Sequence, residues 1–312
     1  MPSLLPPGPH GGDAYLLACA LEVPVDEVLD LSASLNPLAH DPTSILARHL
    51  DAIGRYPDDQ RATAAVAEVL GVDAKRLVLT NGGAEAIALV AAEHPIGSVD
   101  PFEFSLYAHH LAEVDETGRA PRWASDPHNP TGRLADPDDR AQVRDEAFYV
   151  LATGRWTRGD PEATVVGSLT KALACPGLRV GYALCPDDRA TASLVDRRPR
   201  WSLNALAAAA IPDLLAGVDP GAWRDGITAL RVELTELLLA HGLQPDDGSA
   251  NYLWVPHAPG LREDLLVHGV LLRDGKSFGH PDAVRIAVPS ADGLQRLSDA
   301  LEHRSSERAR WP

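Results

Sequence analysis

Short runs of aliphatic and β-branched residues alternate with segments whose apolar residues recur every three or four positions, the pattern of an α/β chain. Residues 76–80 (RLVLT) read as a buried strand, Asn81-Gly-Gly83 as a tight turn and residues 84–92 as a helix. That order makes an anion site, because the first amides of a helix have no partner and point outward. A second strand is expected at residues 163–166, and a third at 178–184 after a turn around Ser168-Leu-Thr-Lys171. Helices are expected at 14–20, 45–53, 61–70 (closed by Gly71), 106–111, 189–195, 203–216 and 222–241. Between residues 99 and 145 the periodicity is weak, and the polar run 136–144 does not resemble a buried strand.

Near residues 205–215 the pattern changes from strand-glycine-helix units to α+β. Strands are expected at 251–255, 270–273 and 284–288, and helices at 261–268 and 292–302, with a solvated charged tail from Arg304. Three regions follow: residues 1–50 as an N-terminal arm with part of a small domain, 51–210 as a large domain, and 211–312 as a small C-terminal domain. Asn36-Pro37 and Asp58 mark loops.

Composition narrows the function classes. With 312 residues, 45% apolar and 23% charged, the chain can bury a large core. Its net charge of -16 argues against nucleic-acid and anionic-membrane partners, which repel an acidic surface. Three cysteines without CxxC spacing fit a reducing compartment rather than a disulfide framework or zinc site, and His94, His109, His110 and His128 lack ligand spacing. No leader and no apolar run of membrane length stand out, so a cytoplasmic location is expected.

The candidate chemistry centres on Ser168-Leu-Thr-Lys171 and Pro176-Gly-Leu-Arg179. A lysine near other cations or out of water loses basicity and can condense with an aldehyde. Ser168, Thr170 and Arg179 supply hydroxyl and guanidinium donors suited to phosphate oxygens. Together they ask for an aldehyde and a phosphate on one cofactor, pyridoxal phosphate. A surface lysine and a structural arginine would leave the same short sequence.

Taken in order, the motifs resemble fold-type I pyridoxal-phosphate enzymes, in the branch of histidinol-phosphate aminotransferase and threonine-phosphate decarboxylase. The resemblance runs from His10-Gly-Gly12 to Arg285. It implies a mostly parallel large-domain sheet with a smaller α+β domain, and a homodimer. Lys171 matches the lysine that links to the cofactor aldehyde, and Ser168, Thr170 and Arg179 match phosphate ligands, with Gly83 and Ala84 as amide donors. Asn129 of Asn-Pro-Thr-Gly matches the donor to the ring hydroxyl. Asp145 of Asp-Glu-Ala-Phe matches the carboxylate that keeps the ring nitrogen protonated. Phe104, with Phe102 as the alternative, matches the stacking aromatic, although Pro101 to Phe104 is one residue longer than the usual motif. Tyr56 of Tyr-Pro-Asp matches a residue reaching the phosphate of a neighbouring subunit.

For the reaction, His10-Gly11-Gly12, residues 29–33, Asn36-Pro37-Leu38, the tyrosine-free Asp-Glu-Ala-Phe148 and residues 200–206 resemble threonine-phosphate decarboxylase. His10, Gly11, Asn129, Arg273 and Arg285 would then contact a phosphorylated amino acid, Arg273 its phosphate and Arg285 its carboxylate. Ser34 stands where that pattern has a substrate-contacting asparagine. Residues 107–145 are shorter than usual for the family, which predicts a trimmed sheet. An aminotransferase of a phosphorylated amino compound such as histidinol phosphate is the alternative. A non-catalytic relative keeping the fold is a third reading.

Overall fold

The computed structural model describes residues 4–6, 8 and 10–310, with only the helical backbone at 306–310. The chain divides into two compact units. The smaller comprises Met1–Leu38, Pro130–Arg133 and Asp225–Pro312, and the larger Ala39–Asn129 and Leu134–Arg224. Arg48 and His49 both reach Asp213, at 3.2 and 3.0 Å, so both flanks of the larger unit are tied within it.

The smaller unit opens with strand β1 (Leu29–Leu31). The larger carries β2 (Leu77–Asn81), β3 (Ile96–Val99), β4 (Glu113–Val114), β5 (Arg122–Ser125), β6 (Val143–Asp145), β7 (Thr164–Ser168) and β8 (Val180–Leu184). The smaller unit resumes with β9 (Tyr252–Val255), β10 (Val270–Asp274) and β11 (Val284–Ala287).

In the larger unit the sheet order is β2-β8-β7-β6-β5-β3-β4. Only β8 runs against its neighbours; the other strands are parallel. The carboxyl ends of β2, β5, β6 and β7 and the amino end of β8 therefore share one sheet edge, where ligands of parallel sheets bind. One face packs on the helix Gly82–Glu93 through Val78, Ile87, Val90, Trp123, Val166 and Ala183.

The larger sheet has seven strands. Residues 126–142 join β5 to β6 with no helix, where parallel crossovers usually have one, so this part of the 107–145 segment is short for its topology. Residues 143–145 do form a buried strand, although the sequence around them reads as polar. Arg144 is wholly buried because Asp139 accepts from its Nη1 at 2.9 Å and Asp160 lies 3.5 Å from its Nε. A buried charge is tolerated only when paired in this way. Arg158 completes the lashing: it donates to Asp126 at 3.0 Å, to Asp160 at 3.2 Å, and to the carbonyls of Asp136, Pro137 and Asp139.

The smaller unit has the sheet order β1-β10-β11-β9, with only the β1–β10 pair parallel. Its core gathers Leu234, Leu238, Leu253, Leu261, Ile286 and Leu297. The last helix runs Ala291–Arg310, past the point where a solvated tail is expected. Arg304 is one reason, since its Nε donates to Asp264 at 2.9 Å across to another helix of the unit. The cysteines are free, Cys19 exposed and Cys175 and Cys185 buried. Among the described residues no single helix is long and apolar enough to cross a membrane.

Candidate cofactor site

Strand β2 passes into the helix Gly82–Glu93 without an intervening loop. Gly82 makes this abrupt join, with φ +78, a conformation that costs a side-chain-bearing residue. A Cβ at Gly82 would lie 2.9 Å from the Arg179 guanidinium carbon, so glycine leaves the space that Arg179 fills. Gly83 sits over Ser168, whose Cβ is 3.3 Å from where a Gly83 Cβ would be. Gly181, opposite Ser168 in the sheet, brings β8 against the backbone of Gly82 and Gly83. The helix amides at Gly83 and Ala84, the Ser168 hydroxyl and Arg179 therefore share one corner. Thr170 is buried beside it, its hydroxyl 3.5 Å from the Val180 carbonyl. Helix dipole, amides and guanidinium all favour an anion there.

The sequence between Ser168 and β8 is not a plain turn. Lys171 lies in a one-turn helix, Leu169–Ala172, with its Nζ 5.9 Å from the centre of the Phe148 ring. Asp145 closes β6 and faces Ser125 of β5 in register. Its carboxylate accepts from the Tyr107 hydroxyl at 2.8 Å and the Ala147 amide at 2.9 Å. Desolvation pushes its pKa up, while those two donors and the Lys171 charge pull it back. Phe104 and Tyr107 meet edge to face at 5.7 Å, and Phe102 meets His128 at 5.5 Å. Asn129 is buried, and its backbone N–H donates to the Ser125 hydroxyl oxygen at 2.7 Å.

One sheet edge of the larger unit thus gathers Gly83, Ala84, Asn129, Asp145, Ser168, Thr170, Lys171 and Arg179, with Phe104 alongside Tyr107. Tyr56 lies elsewhere on that unit, 76% exposed and stacked on Trp201 at 4.5 Å. Tyr107 is the partner that sequence reading missed; Phe104 lies before the short helix Leu106–His110 that carries Tyr107, so no helical spacing links the two. Ser125 and Glu103 are likewise invisible in the pattern.

In the smaller unit, Arg273 of β10 and Arg285 of β11 are paired in register and both buried. Arg273 donates to the Gly8 carbonyl at 3.0 Å and the Ser277 hydroxyl at 2.5 Å. Arg285 lies 4.7 Å over the Tyr252 ring and donates to the Ser32 carbonyl at 3.3 Å. Burial lowers the pKa of both, that of Arg285 to about 10, so Arg285 stays charged at neutral pH. Gly11 packs against the same Ser32 carbonyl, and His10 is exposed. Ser34 is fully buried at φ +50, and the Asn251 amide donates to its carbonyl at 2.8 Å.

A mostly parallel sheet with a lysine, an aspartate and a phosphate-type cradle at its carboxyl edge defines a fold-type I pyridoxal-phosphate protein. The family model described as "Aminotransferase class I and II" matches residues 123–301, and the chain belongs to that family. It is 30% identical to threonine-phosphate decarboxylase of Salmonella typhimurium, over 94% of this chain and 96% of that one. It is 27% identical to histidinol-phosphate aminotransferase 1 of Dechloromonas aromatica, over 92% of each. In fold it matches the histidinol-phosphate aminotransferase of Sinorhizobium meliloti, solved with pyridoxal-5'-phosphate. That match has a TM-score of 0.79 at 16% identity and covers 97% of this chain and 96% of that chain. The cofactor is pyridoxal phosphate, and the donor set fits it: an amide-hydroxyl-guanidinium corner for the phosphate, a carboxylate for the ring nitrogen and an amine for the aldehyde.

Proposed function

We propose that the chain decarboxylates L-threonine O-3-phosphate, with Lys171 and Asp145 as its catalytic residues. The observation that carries the choice of substrate is the register pair Arg273–Arg285, two buried cations on adjacent strands. A phosphorylated amino acid has two anionic groups to match them, and guanidinium forks suit both phosphate and carboxylate. In this reading Arg273 takes the phosphate and Arg285 the carboxylate, with His10, Gly11 and Ser34 beside them. Asn129 contacts substrate as well as cofactor.

Ser168, Thr170, Arg179 and the Gly83 and Ala84 amides would hold the cofactor phosphate; Asn129 would hold the ring hydroxyl and Phe104 the ring face. When bound, the cofactor supplies an electron sink for the pair released at the substrate α carbon. Asp145 keeps a proton on the ring nitrogen, and the hydrogen bonds from Tyr107 and Ala147 oppose the desolvation that favours its neutral form. After the carboxylate has left as CO₂, Lys171 returns a proton to the α carbon.

A second reading, aminotransfer from a phosphorylated amino compound, is supported by the relatives named histidinol-phosphate aminotransferase. The experiment is direct. O-phospho-L-threonine is added to holoenzyme while CO₂ is followed, in parallel with histidinol phosphate and 2-oxoglutarate. CO₂ release without 2-oxoglutarate supports decarboxylation. Glutamate formation without CO₂ overturns it in favour of aminotransfer, and turnover of neither supports a non-catalytic relative.

The assembly proposed is a homodimer. Leu50, Ile53, Tyr56 and Trp201 are 54–76% exposed on the larger unit, an apolar patch of the kind that marks an interface. Tyr56 would reach the partner's cofactor phosphate. Sedimentation as a monomer at micromolar concentration would contradict this.

A further inference from the structure

Glu103 is a buried carboxyl that the chemistry above leaves unused. It is 5% exposed, in the segment between β3 and Tyr107. Its oxygens clamp Ser125, Oε1 accepting from the Ser125 amide at 2.9 Å and Oε2 meeting the Ser125 hydroxyl at 2.5 Å, and the Phe104 amide is a further donor to the carboxyl. Ser125 ends β5 directly opposite Asp145, and its hydroxyl oxygen accepts from the Asn129 backbone N–H at 2.7 Å. The Asp126 amide adds a bond to the Asp145 carbonyl at 2.8 Å. Glu103 is thus the first link of a chain that runs through Ser125 to Asn129.

The same short segment is anchored twice. Glu103 ties its start to Ser125, and Tyr107 ties its end to Asp145. Phe104 lies between the two anchors.

We propose that Glu103 is a positioning residue of the cofactor site, setting through Ser125 the placement of Asn129 and of the Phe104 segment. It touches neither cofactor nor substrate. The carboxyl acts as a double clamp on Ser125, and glutamine can make the same two contacts, its Oε1 accepting from the amide and its Nε2 donating to the hydroxyl oxygen. Alanine can make neither. Burial holds the acid neutral at pH 7, with a pKa pushed up to about 8, so glutamine also matches its charge. The charged and titratable groups around it are Asp145 of β6, with Lys171 and Tyr107 beside that carboxylate.

The inference rests on the larger unit's binding pyridoxal phosphate, so its test has one readout with the cofactor and one without. Dissociation constants for pyridoxal phosphate are measured at pH 7 for wild type, Glu103→Ala, Glu103→Gln, Ser125→Ala and the double variant Glu103→Ala/Ser125→Ala. Amide hydrogen exchange across residues 125–129 is followed in the cofactor-free proteins. A loss of about tenfold is expected for Glu103→Ala, within about threefold of wild type for Glu103→Gln, and no further loss when Ser125→Ala is added to Glu103→Ala. Exchange at Asn129 should quicken about tenfold in Glu103→Ala and Ser125→Ala, and not in Glu103→Gln. Wild-type exchange at Asn129 in Glu103→Ala would overturn the proposal, as would single-variant affinity losses that simply add. Failure of wild type to bind the cofactor would sink the cofactor reading and leave the exchange result to decide on Glu103. If Glu103→Ala does not fold, Ser125→Ala alone decides.

Discussion

Gly181→Ala tests the cradle where it is tightest. The added Cβ would lie 2.6 Å from the Gly82 carbonyl oxygen, and closer still to the Gly82 carbonyl carbon and the Gly83 nitrogen. Ordinary contact begins at 3.4 Å, and the nearest of these atoms sets the demand, so β8 and the start of the helix Gly82–Glu93 must separate by about 1 Å or more. Nothing flexible can yield, because all three obstructing atoms are backbone. Overpacking of this kind costs about 1–3 kcal/mol of stability. The larger loss falls on the cofactor. The amides of Gly83 and Ala84 move away from Arg179 and Ser168, and displacing donors by about 1 Å costs on the order of 10²-fold in a positioned site. Gly177→Ala is the control, since its Cβ meets nothing within 4 Å. Urea unfolding and cofactor titration of the three proteins give the answer. Wild-type affinity in Gly181→Ala would refute the phosphate-corner assignment, even if stability fell as expected.

Tyr107→Phe removes the 2.8 Å donor to Asp145 and should raise that carboxyl's pKa further, cutting turnover about tenfold with little change in KM. An unchanged pH–rate profile would count against the contact's importance. Asp145→Asn should lower turnover by 10²-fold or more while leaving the fold intact by circular dichroism; near-native activity would remove Asp145 from the mechanism. Arg158→Ala strands Asp126 and Asp160 and should cost about 2–5 kcal/mol in urea unfolding, because a buried charge loses its partner; a loss below about 1 kcal/mol would contradict the lashing role. Glu103 and Glu146 have pKa values raised to about 8 and about 7, so the folded state holds protons the unfolded state has lost. Their contribution is fully present below pH ~4.5 and is lost as pH rises through 7–8. Stability of the cofactor-free protein should therefore fall between pH 5 and 8, by on the order of 2–4 kcal/mol for Glu103. Glu103→Gln should flatten that slope, and an equal slope in the variant would contradict its burial as a neutral acid.

The legible parts of this chain are those whose local pattern and tertiary role agree. The strand-glycine-helix run at Leu77–Glu93 could be read because β-branched residues, glycine and helical spacing each keep their ordinary meaning there. The register of β8 against β7, which brings Arg179 and Ser168 to one edge, could not, because register is a long-range property. β6 was hidden by Arg144. A charged residue in a three-residue strand reads as solvent-facing unless Asp139 and Asp160 are known to converge on it, and those come from separate loops. Glu103 hid for the same reason. A lone glutamate among aromatics shows nothing of the Ser125 it meets 22 positions later. The final helix outran its expected end because Arg304 has a carboxylate to reach, Asp264, that lies 40 positions earlier in the chain.

The central claim is that Lys171 binds pyridoxal phosphate covalently at the carboxyl edge of the larger sheet. The absorbance spectrum of the purified chain with pyridoxal phosphate, taken before and after Lys171→Ala, tests it most directly. The account predicts a long-wavelength band, retained on gel filtration and abolished by borohydride, that the variant lacks. The same band at the same intensity in Lys171→Ala would contradict it.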